Sequence, residues 1–371
     1  MIMIRKMVRY MRKIVIYGAQ SIALGVRKSI KAFFPEMDII CFLVTKKGQN
    51  KEFLDTIPVM ELQEFVNGMS QEEKNEINVL ISTPENVMDE IEQSLNDVGL
   101  YNHIRIDSLR WADMMRNLFA KEGDFLPLEV YPIGCHKAKI SVYKVIHYKD
   151  KKLKTLIPDP DYMKILQVGV HNTPKCVADF YDNEGIGISE KNRNYSELTG
   201  LYWLWKNQLR EEEIEEHSYC GLAHYRRRLQ IQEDDLLRLY DNEIDVVLPY
   251  PMPYEPNIEE HHKRYLSDSE WRAVLEALSE VQPQYADFFK NVLQQEYLNN
   301  YNLILAKGKV LDAYCSWLFP ILFRIEEIND PMGEKEPNRY IGYIGETLET
   351  LYFMYNKDNL NIAYTGCQFL V

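Results

Sequence analysis

The sequence predicts an α/β protein of two domains, and three observations carry that prediction. Short apolar runs alternate with helix-like segments through the first third of the chain, the pattern of strands joined by helical crossovers in a parallel sheet. A stretch at 123–132 with a glycine, an aspartate and two prolines breaks the alternation, as a linker does. At 371 residues the chain also exceeds the usual length of one domain. The expected division is a Rossmann-like domain at 1–122 and a larger α/β domain at 123–371.

The first domain reads as follows. Residues 13–17 (KIVIY) form a short apolar strand, and 18–25 (GAQSIALG) turn into a helix running to about 34. A second strand is expected at 39–44 (IICFLV), a helix near 61–66, and a third strand at 79–82 (VLIS). Thr83-Pro84-Glu85 has proline at the first helical position and predicts a helix start. A fourth strand at 103–106 and a helix at 108–120 complete the set. Gly18 stands where a dinucleotide fingerprint would begin, but Gln20 holds the place of the second glycine. That glycine lets backbone approach a pyrophosphate. Two readings compete here: dinucleotide binding, and a nucleotide-free module used for packing or regulation.

The second domain opens with strands at 139–147 and 165–170, separated by a loop at 150–161. The polar stretch 182–194 (DNEGIGISEKNRN) predicts a surface loop, followed by a helix at 197–207. A strand at 218–223 ends at His224, and a further strand at 245–248 is stopped by the proline-rich PYPMPYEP. Helices follow at 268–278 and 283–295, then a strand at 302–306, a long helix at 309–328 and a last one at 341–355.

Composition narrows the function. The net charge of −13 argues against nucleic acid as a partner, because phosphate contacts dominate that affinity. Six cysteines are scattered without a Cys-x-x-Cys pair, against both a zinc site and a disulfide scaffold and in keeping with reduced cytoplasmic thiols. The N-terminus lacks an apolar core followed by a small-residue cleavage site. Its first ten residues are expected to be a disordered leader. No stretch approaches the roughly 20 apolar residues of a membrane span, so any membrane role is peripheral, at the inner face.

Two clusters carry chemistry. The first is His224-Tyr225-Arg226-Arg227-Arg228, directly after the strand SYCGLA. Strand C-termini are where ligands sit in α/β sheets, and a guanidinium matches phosphate oxygens two at a time. The competing reading is a solvated edge whose arginines pair with the acidic run at 211–216 or with Asp234 and Asp235. The second cluster runs from Asn192 to Asn207 (NRNYSELTGLYWLWKN). Helical spacing puts Leu198, Tyr202 and Trp205 on one face, which favours core packing for Trp203 and Trp205 over a sugar- or base-binding face. Asp159-Pro160-Asp161 has the letters of a metal-binding Asp-x-Asp but lies in a proline-bearing loop, and His261-His262 lacks a partner at metal-ligand spacing. No metal-ligating set is assigned.

These segments, in the order NRNYSELTGLYWLWKN, YCGLAHYRR, DVVLP and YNLILAKGKVLDAYCSWLFPILF, resemble a family of bacterial capsular and exopolysaccharide synthesis proteins. That family is described as a domain of unknown function and is similar to GT-A glycosyltransferases. The resemblance runs from about residue 131 to the C-terminus, and the first segment is similar to the Rossmann-like module found with such domains. It implies a GT-A-like α/β fold. It also implies sugar transfer from a nucleotide-sugar donor, a UDP-sugar foremost, to a lipid-linked or oligosaccharide acceptor of a growing surface polysaccharide. Metal need is left open. The alternative is a non-catalytic nucleotide- or glycan-binding regulator of the same pathway. Carried over, Gln167, Gly169, Asn192, Thr199, Tyr225, Arg226, Arg227 and Asn302 would bind the donor, with Asn302 opening a strand. Glu346, Glu197 and His224 would be catalytic. Ala223 departs from the Cys-His-Tyr-Arg-Arg form of the family motif. Leu266 stands where members often carry a histidine, which points to different acceptor chemistry.

Overall fold

A computed structural model describes residues 13–154, 157–209 and 217–371. The expected leader and the acidic run at 211–216 lie outside these described residues. The chain divides into two compact units. The first is built on the chain up to Asp124 with the short return Met252–Glu255. The second holds Phe125–Pro251 and Pro256–Leu370.

In the first unit, β1 (Lys13–Tyr17), β2 (Asp38–Val44), β3 (Phe53–Leu54), β4 (Ile57–Glu61), β5 (Ile77–Ile81) and β6 (His103–Arg105) form one sheet, ordered β3-β4-β2-β1-β5-β6. All neighbours are parallel except β3 and β4. The core strands are apolar on both faces, as a sheet covered by helices requires. Helices α1 (Ser21–Phe33), α2 (Met88–Asp97) and α3 (Ser108–Glu122) supply that cover. Gly25 lets α1 meet the Trp111 indole of α3: a Cβ there would stand 2.8 Å from Trp111 Nε1. Gly18 has φ +123°, and a Cβ on it would lie 2.4 Å from the Ser82 carbonyl oxygen. Close strand packing thus accounts for Gly18 without any phosphate. The helix expected at 83–85 begins later. Pro84 precedes a single 3₁₀ turn, Glu85–Val87, and α2 starts at Met88.

In the second unit the strands of the main sheet are β7 (Lys139–Ile146), β8 (Met163–Gln167), β9 (Phe180–Tyr181), β10 (Ser218–His224), β11 (Arg227–Leu229), β12 (Val246–Pro249), β13 (Ile304–Lys307), β14 (Ile362–Thr365) and β15 (Cys367–Phe369). The sheet runs β14-β12-β13-β10-β7-β8-β9, with β11 bridging β10 and β15. Along that order the strands are parallel except β13, which runs antiparallel to both β10 and β12. Its beginning therefore lies at the sheet edge where its neighbours end. The strand expected from Asn302 starts at Ile304 instead, because Asn302 has φ +48° and cannot extend.

Helices α4 (Leu198–Gln208), α5 (Glu233–Asp241), α6 (Asp268–Val281), α7 (Pro283–Gln294), α8 (Gly308–Asn329) and α9 (Tyr340–Tyr355) belong to this unit. Gly200 brings α4 close to the sheet, where a Cβ would meet Val145 Cγ1 at 2.6 Å. Trp203 donates its indole N–H to the Glu184 carbonyl. Trp205 stacks on Phe319 of α8, with centroids 5.5 Å apart, and donates to Asp312. Both indoles are packing groups, the reading their spacing favoured.

The stretch expected as a surface loop at 182–194 is internal at its first residue. Asp182 is fully buried, and a 3₁₀ turn (Ser189–Lys191) and a short helix (Asn192–Tyr195) follow. Its polar composition misleads because the polar groups satisfy one another.

Candidate active site

The parallel strands β7, β8 and β10 end side by side, and a cavity of about 870 Å³ opens at those ends. Such crevices beyond strand C-termini are the usual ligand sites of open α/β sheets. Ile146 and His147 close β7, Val168 follows β8, and His224 ends β10, all lining the cavity. From β10 the chain turns through Tyr225 and Arg226 into β11 at Arg227. Asn192, Arg193, Ser196 and Glu197, just before α4, form a second wall, and Pro337 and Arg339, before α9, a third.

The cavity concentrates positive charge in an acidic protein. Lys149, Arg193, Arg226, Arg227 and Arg339 line it, against the carboxylates Asp150 and Glu197. Arg227 lies over the Tyr301 ring at 4.1 Å and the Phe369 ring at 4.9 Å, and Arg226 over Tyr225 at 4.8 Å. These ring contacts hold the guanidinium planes. Arg226 Nε and His224 Nε2 are buried and have no hydrogen-bond partner in the described protein. Burial holds His224 below its ordinary pKa; Glu197 opposes this, while Arg227 and Arg339 add to it. His224 is therefore neutral at pH 7. Burial also raises Asp150, although its carboxylate accepts the His147 N–H at 2.6 Å and Arg226 works the other way.

Beneath the cavity lies a group of carboxylates tied by one segment, 300–302. Asn302 Nδ2 donates to Glu197 at 2.6 Å and to the Gly342 carbonyl at 3.2 Å. Asn300 Nδ2 and the Tyr301 N–H both donate to Glu346, at 3.2 and 2.9 Å. Burial, reinforced by the charge of Glu197, pushes Glu346 up to about 8, so it carries a proton at neutral pH. Glu349, one turn on, is 1% exposed and lies well above the carboxylate range for the same reason, with Glu346 and Glu197 adding.

Four non-glycine residues around this site have positive φ: Ser196 (+51°), Tyr301 (+78°), Asn302 (+48°) and Arg339 (+65°). Such conformations persist only where surrounding contacts over-determine them, and they gather at functional sites. Arg339 Nε donates to Ser196 Oγ at 3.0 Å, joining two of the four.

Of the residues singled out from sequence, Asn192, Glu197, His224, Tyr225, Arg226 and Arg227 line the cavity. Gln167 and Thr199 are fully buried and support it from within. Gln167 receives the Cys176 N–H and donates to the Pro174 carbonyl, setting the turn that carries Asn172 and Thr173 to the cavity. Thr199 binds Asp182 and Asn192. Gly169, at φ +69°, leaves room for Asn192, whose Oδ1 a Cβ would meet at 2.7 Å. Asn302 and Glu346 sit behind the wall. Sequence reasoning missed Arg193, Arg339 and Lys149, whose approach depends on backbone turns without a motif. It also missed Asp182, which accepts from the N–H groups of Gly169 and Val170 and from the Thr199 and Ser189 hydroxyls. Among the described residues no group of three or more His, Cys, Asp or Glu side chains is arranged to hold a metal ion.

A family described as Domain of unknown function (DUF4422) matches residues 142–357. No curated protein matches the chain. A solved structure described as a WbbM bifunctional glycosyltransferase in its apo form is similar, with a TM-score of 0.53 and 23% identity. The likeness covers 62% of this chain and 45% of that one, so the chain spans under half the length of that structure. At this identity the match shows a shared α/β fold.

Proposed function

Because the chain belongs to the DUF4422 family, and its fold is one that a glycosyltransferase uses, we propose that it transfers a sugar from a nucleotide-sugar donor to a glycan acceptor. The observation that carries this reading is the cationic cavity at the strand ends, five positive side chains against two carboxylates. A diphosphate leaving group gains negative charge as its bond to the sugar breaks, and preorganised donors at that point lower the barrier.

In this reading Arg226 and Arg227 face the diphosphate, and His224, in the tautomer with its hydrogen on Nε2, adds a neutral hydrogen bond. Glu197 is the catalytic base, held in place by Asn302. It takes the proton of the acceptor hydroxyl. The acceptor oxygen bonds to the anomeric carbon, the carbon–phosphate oxygen bond breaks, and its electron pair leaves with the diphosphate. Glu346, protonated at neutral pH, spares Glu197 a second adjacent charge.

UDP is the nucleotide we propose, and a lipid-linked or oligosaccharide precursor of a surface polysaccharide the acceptor. The family resemblance supports both. We also propose action in the cytoplasm, which the six free cysteines support, at the membrane's inner face where a lipid-linked acceptor would lie. The test is donor hydrolysis across UDP-, GDP- and CMP-sugars, with Glu197→Gln beside the wild type. Turnover should fall by about 10²–10⁴-fold, the usual worth of a general base, while UDP affinity by calorimetry holds. Full turnover in the variant removes Glu197 from the role. UDP binding without turnover by the wild type on any donor favours the regulatory alternative.

A further inference from the structure

On α9, Tyr343 lies one turn from Arg339, the cavity residue just before the helix, and one turn from Glu346 beneath the cavity. Residues three and four apart share a helix face. The Tyr343 N–H also bonds the Arg339 carbonyl, at 3.4 Å. Tyr343 therefore stands between a cavity arginine and the carboxylate group beneath the cavity. Beside it lies Tyr265, 47% exposed, its ring 5.2 Å from that of Tyr343 and tilted by 35°. His261 extends the row, 5.1 Å from Tyr265.

This surface is braced from below. Tyr265 follows the short helix Ile258–His262, and His262 is buried. Burial pushes His262 down to about 4, so it is a neutral imidazole. It shares a hydrogen bond of 2.7 Å with Thr347 of α9 and stacks on Trp271 of α6. The tyrosines thus project from two elements locked together by a buried polar contact and a ring stack.

We propose that Tyr265 and Tyr343 form a shelf that binds the acceptor saccharide. The proposal rests on the transferase reading above. A pyranose ring has a face of polarised C–H groups and a rim of hydroxyls. Aromatic rings offer that face an apolar, electron-rich plane, and the tyrosine hydroxyls offer the rim hydrogen bonds. Two rings at a shallow angle suit consecutive sugars of a chain. That face of α9 leads from the shelf toward Arg339 and the carboxylates, so a sugar lying on it directs its terminal hydroxyl to Glu197. A neutral glycan is the occupant the surface selects, since the shelf rings carry no charge.

The test uses the whole chain and saturation-transfer NMR, with cellotetraose, maltotetraose and a β-galactotetraose as probes. UDP calorimetry is run on the same samples. The wild type should transfer saturation to at least one tetrasaccharide. Tyr265→Ala and Tyr343→Ala should each raise its Kd by about tenfold, while Tyr265→Phe and Tyr343→Phe, which keep the ring, should stay within about threefold. Alanine variants that bind like the wild type overturn the shelf, as does a wild type that binds UDP but none of the three probes. Saccharide binding that persists where UDP binding is absent overturns the transferase reading and leaves the shelf as a glycan site.

Discussion

Asp182 offers the sharpest test of how this cavity is held. Four donors converge on its carboxylate: the Gly169 N–H at 2.8 Å, the Val170 N–H at 3.2 Å, the Thr199 hydroxyl at 2.9 Å and the Ser189 hydroxyl. Asp182→Ala removes every acceptor at once. The hydroxyls can rotate, and Thr199 already has the Ser196 carbonyl 3.2 Å away. The two backbone N–H groups cannot. A buried donor left unpaired costs about 1–3 kcal/mol, so the pair sets a loss of about 2–6 kcal/mol, with about 4 the central expectation. Asp182→Asn keeps one acceptor and turns an amide N–H toward donors, for a loss of about 2–3 kcal/mol on the same basis. Denaturant unfolding followed by tryptophan emission reads this unit well, since Trp203, Trp205, Trp271 and Trp317 all lie within it. UDP affinity should fall with stability, because the turn from Gly169 carries Asn172 and Thr173 to the cavity. A loss below about 1 kcal/mol in Asp182→Ala, the low end for a single buried donor, would refute the reasoning.

Other outcomes follow from the same geometry. Arg226→Ala and Arg227→Ala should each lower turnover by about 10²–10³-fold with melting temperatures near wild type, and Arg226→Lys should also be impaired because an ammonium lacks the two-point fork; full turnover in folded variants removes the diphosphate role. Glu346 holds its proton up to about 8 when folded and to about 4.3 when unfolded. The stability it contributes is therefore present below about pH 4 and is lost as pH rises through 8. Glu346→Gln fixes the protonated form, so the wild type's melting temperature should decline more between pH 5 and pH 8.5 than the variant's, and parallel curves would contradict the buried carboxyl. Treatment with EDTA should leave substantial turnover if arginines neutralise the leaving group; complete loss restored by manganese would reassign that work to a metal ion.

Much of the architecture was legible because it rests on local pattern. The apolar runs at β1, β2 and β5 and the turn residues between them specify parallel strands whatever the rest of the chain does. His224 was recognisable as a strand end because the apolar run SYCGLA stops at a cluster of charge. Asn192, Glu197 and the arginines at 226–227 were found as a motif, since they are contiguous. What stayed hidden depends on contacts between distant segments. Arg339 reaches the cavity through a left-handed backbone turn that no residue type announces. Asp182 is polar in a polar stretch, and only the convergence of β8, α4 and the 3₁₀ turn at Ser189–Lys191 makes it internal. Asn302 looked like the start of a strand because NLILA is apolar, but its bond to Glu197 holds it in a turn.

The reversed strand β13 has a bearing on how the site comes into being. Parallel neighbours contribute their trailing residues to the crevice, and β10 does so with His224. A reversed strand contributes its leading residues, and those at 300–302 grip Glu197 and Glu346. The grip joins partners made far apart in time: Glu197 emerges from the ribosome more than a hundred residues before Asn302, and Glu346 later still. Domains fold as units during synthesis. A nascent chain ending before residue 300 can build strands β7 to β10 and present every arginine of the HYRRR run, yet Glu197 lacks its Asn302 anchor, and Pro337 and Arg339 of the third wall are not yet made. The carboxylate group is therefore complete only once both the 300–302 segment and α9 have been made. On the proposed reading, the cationic edge that binds the donor is made before the carboxylates that use it.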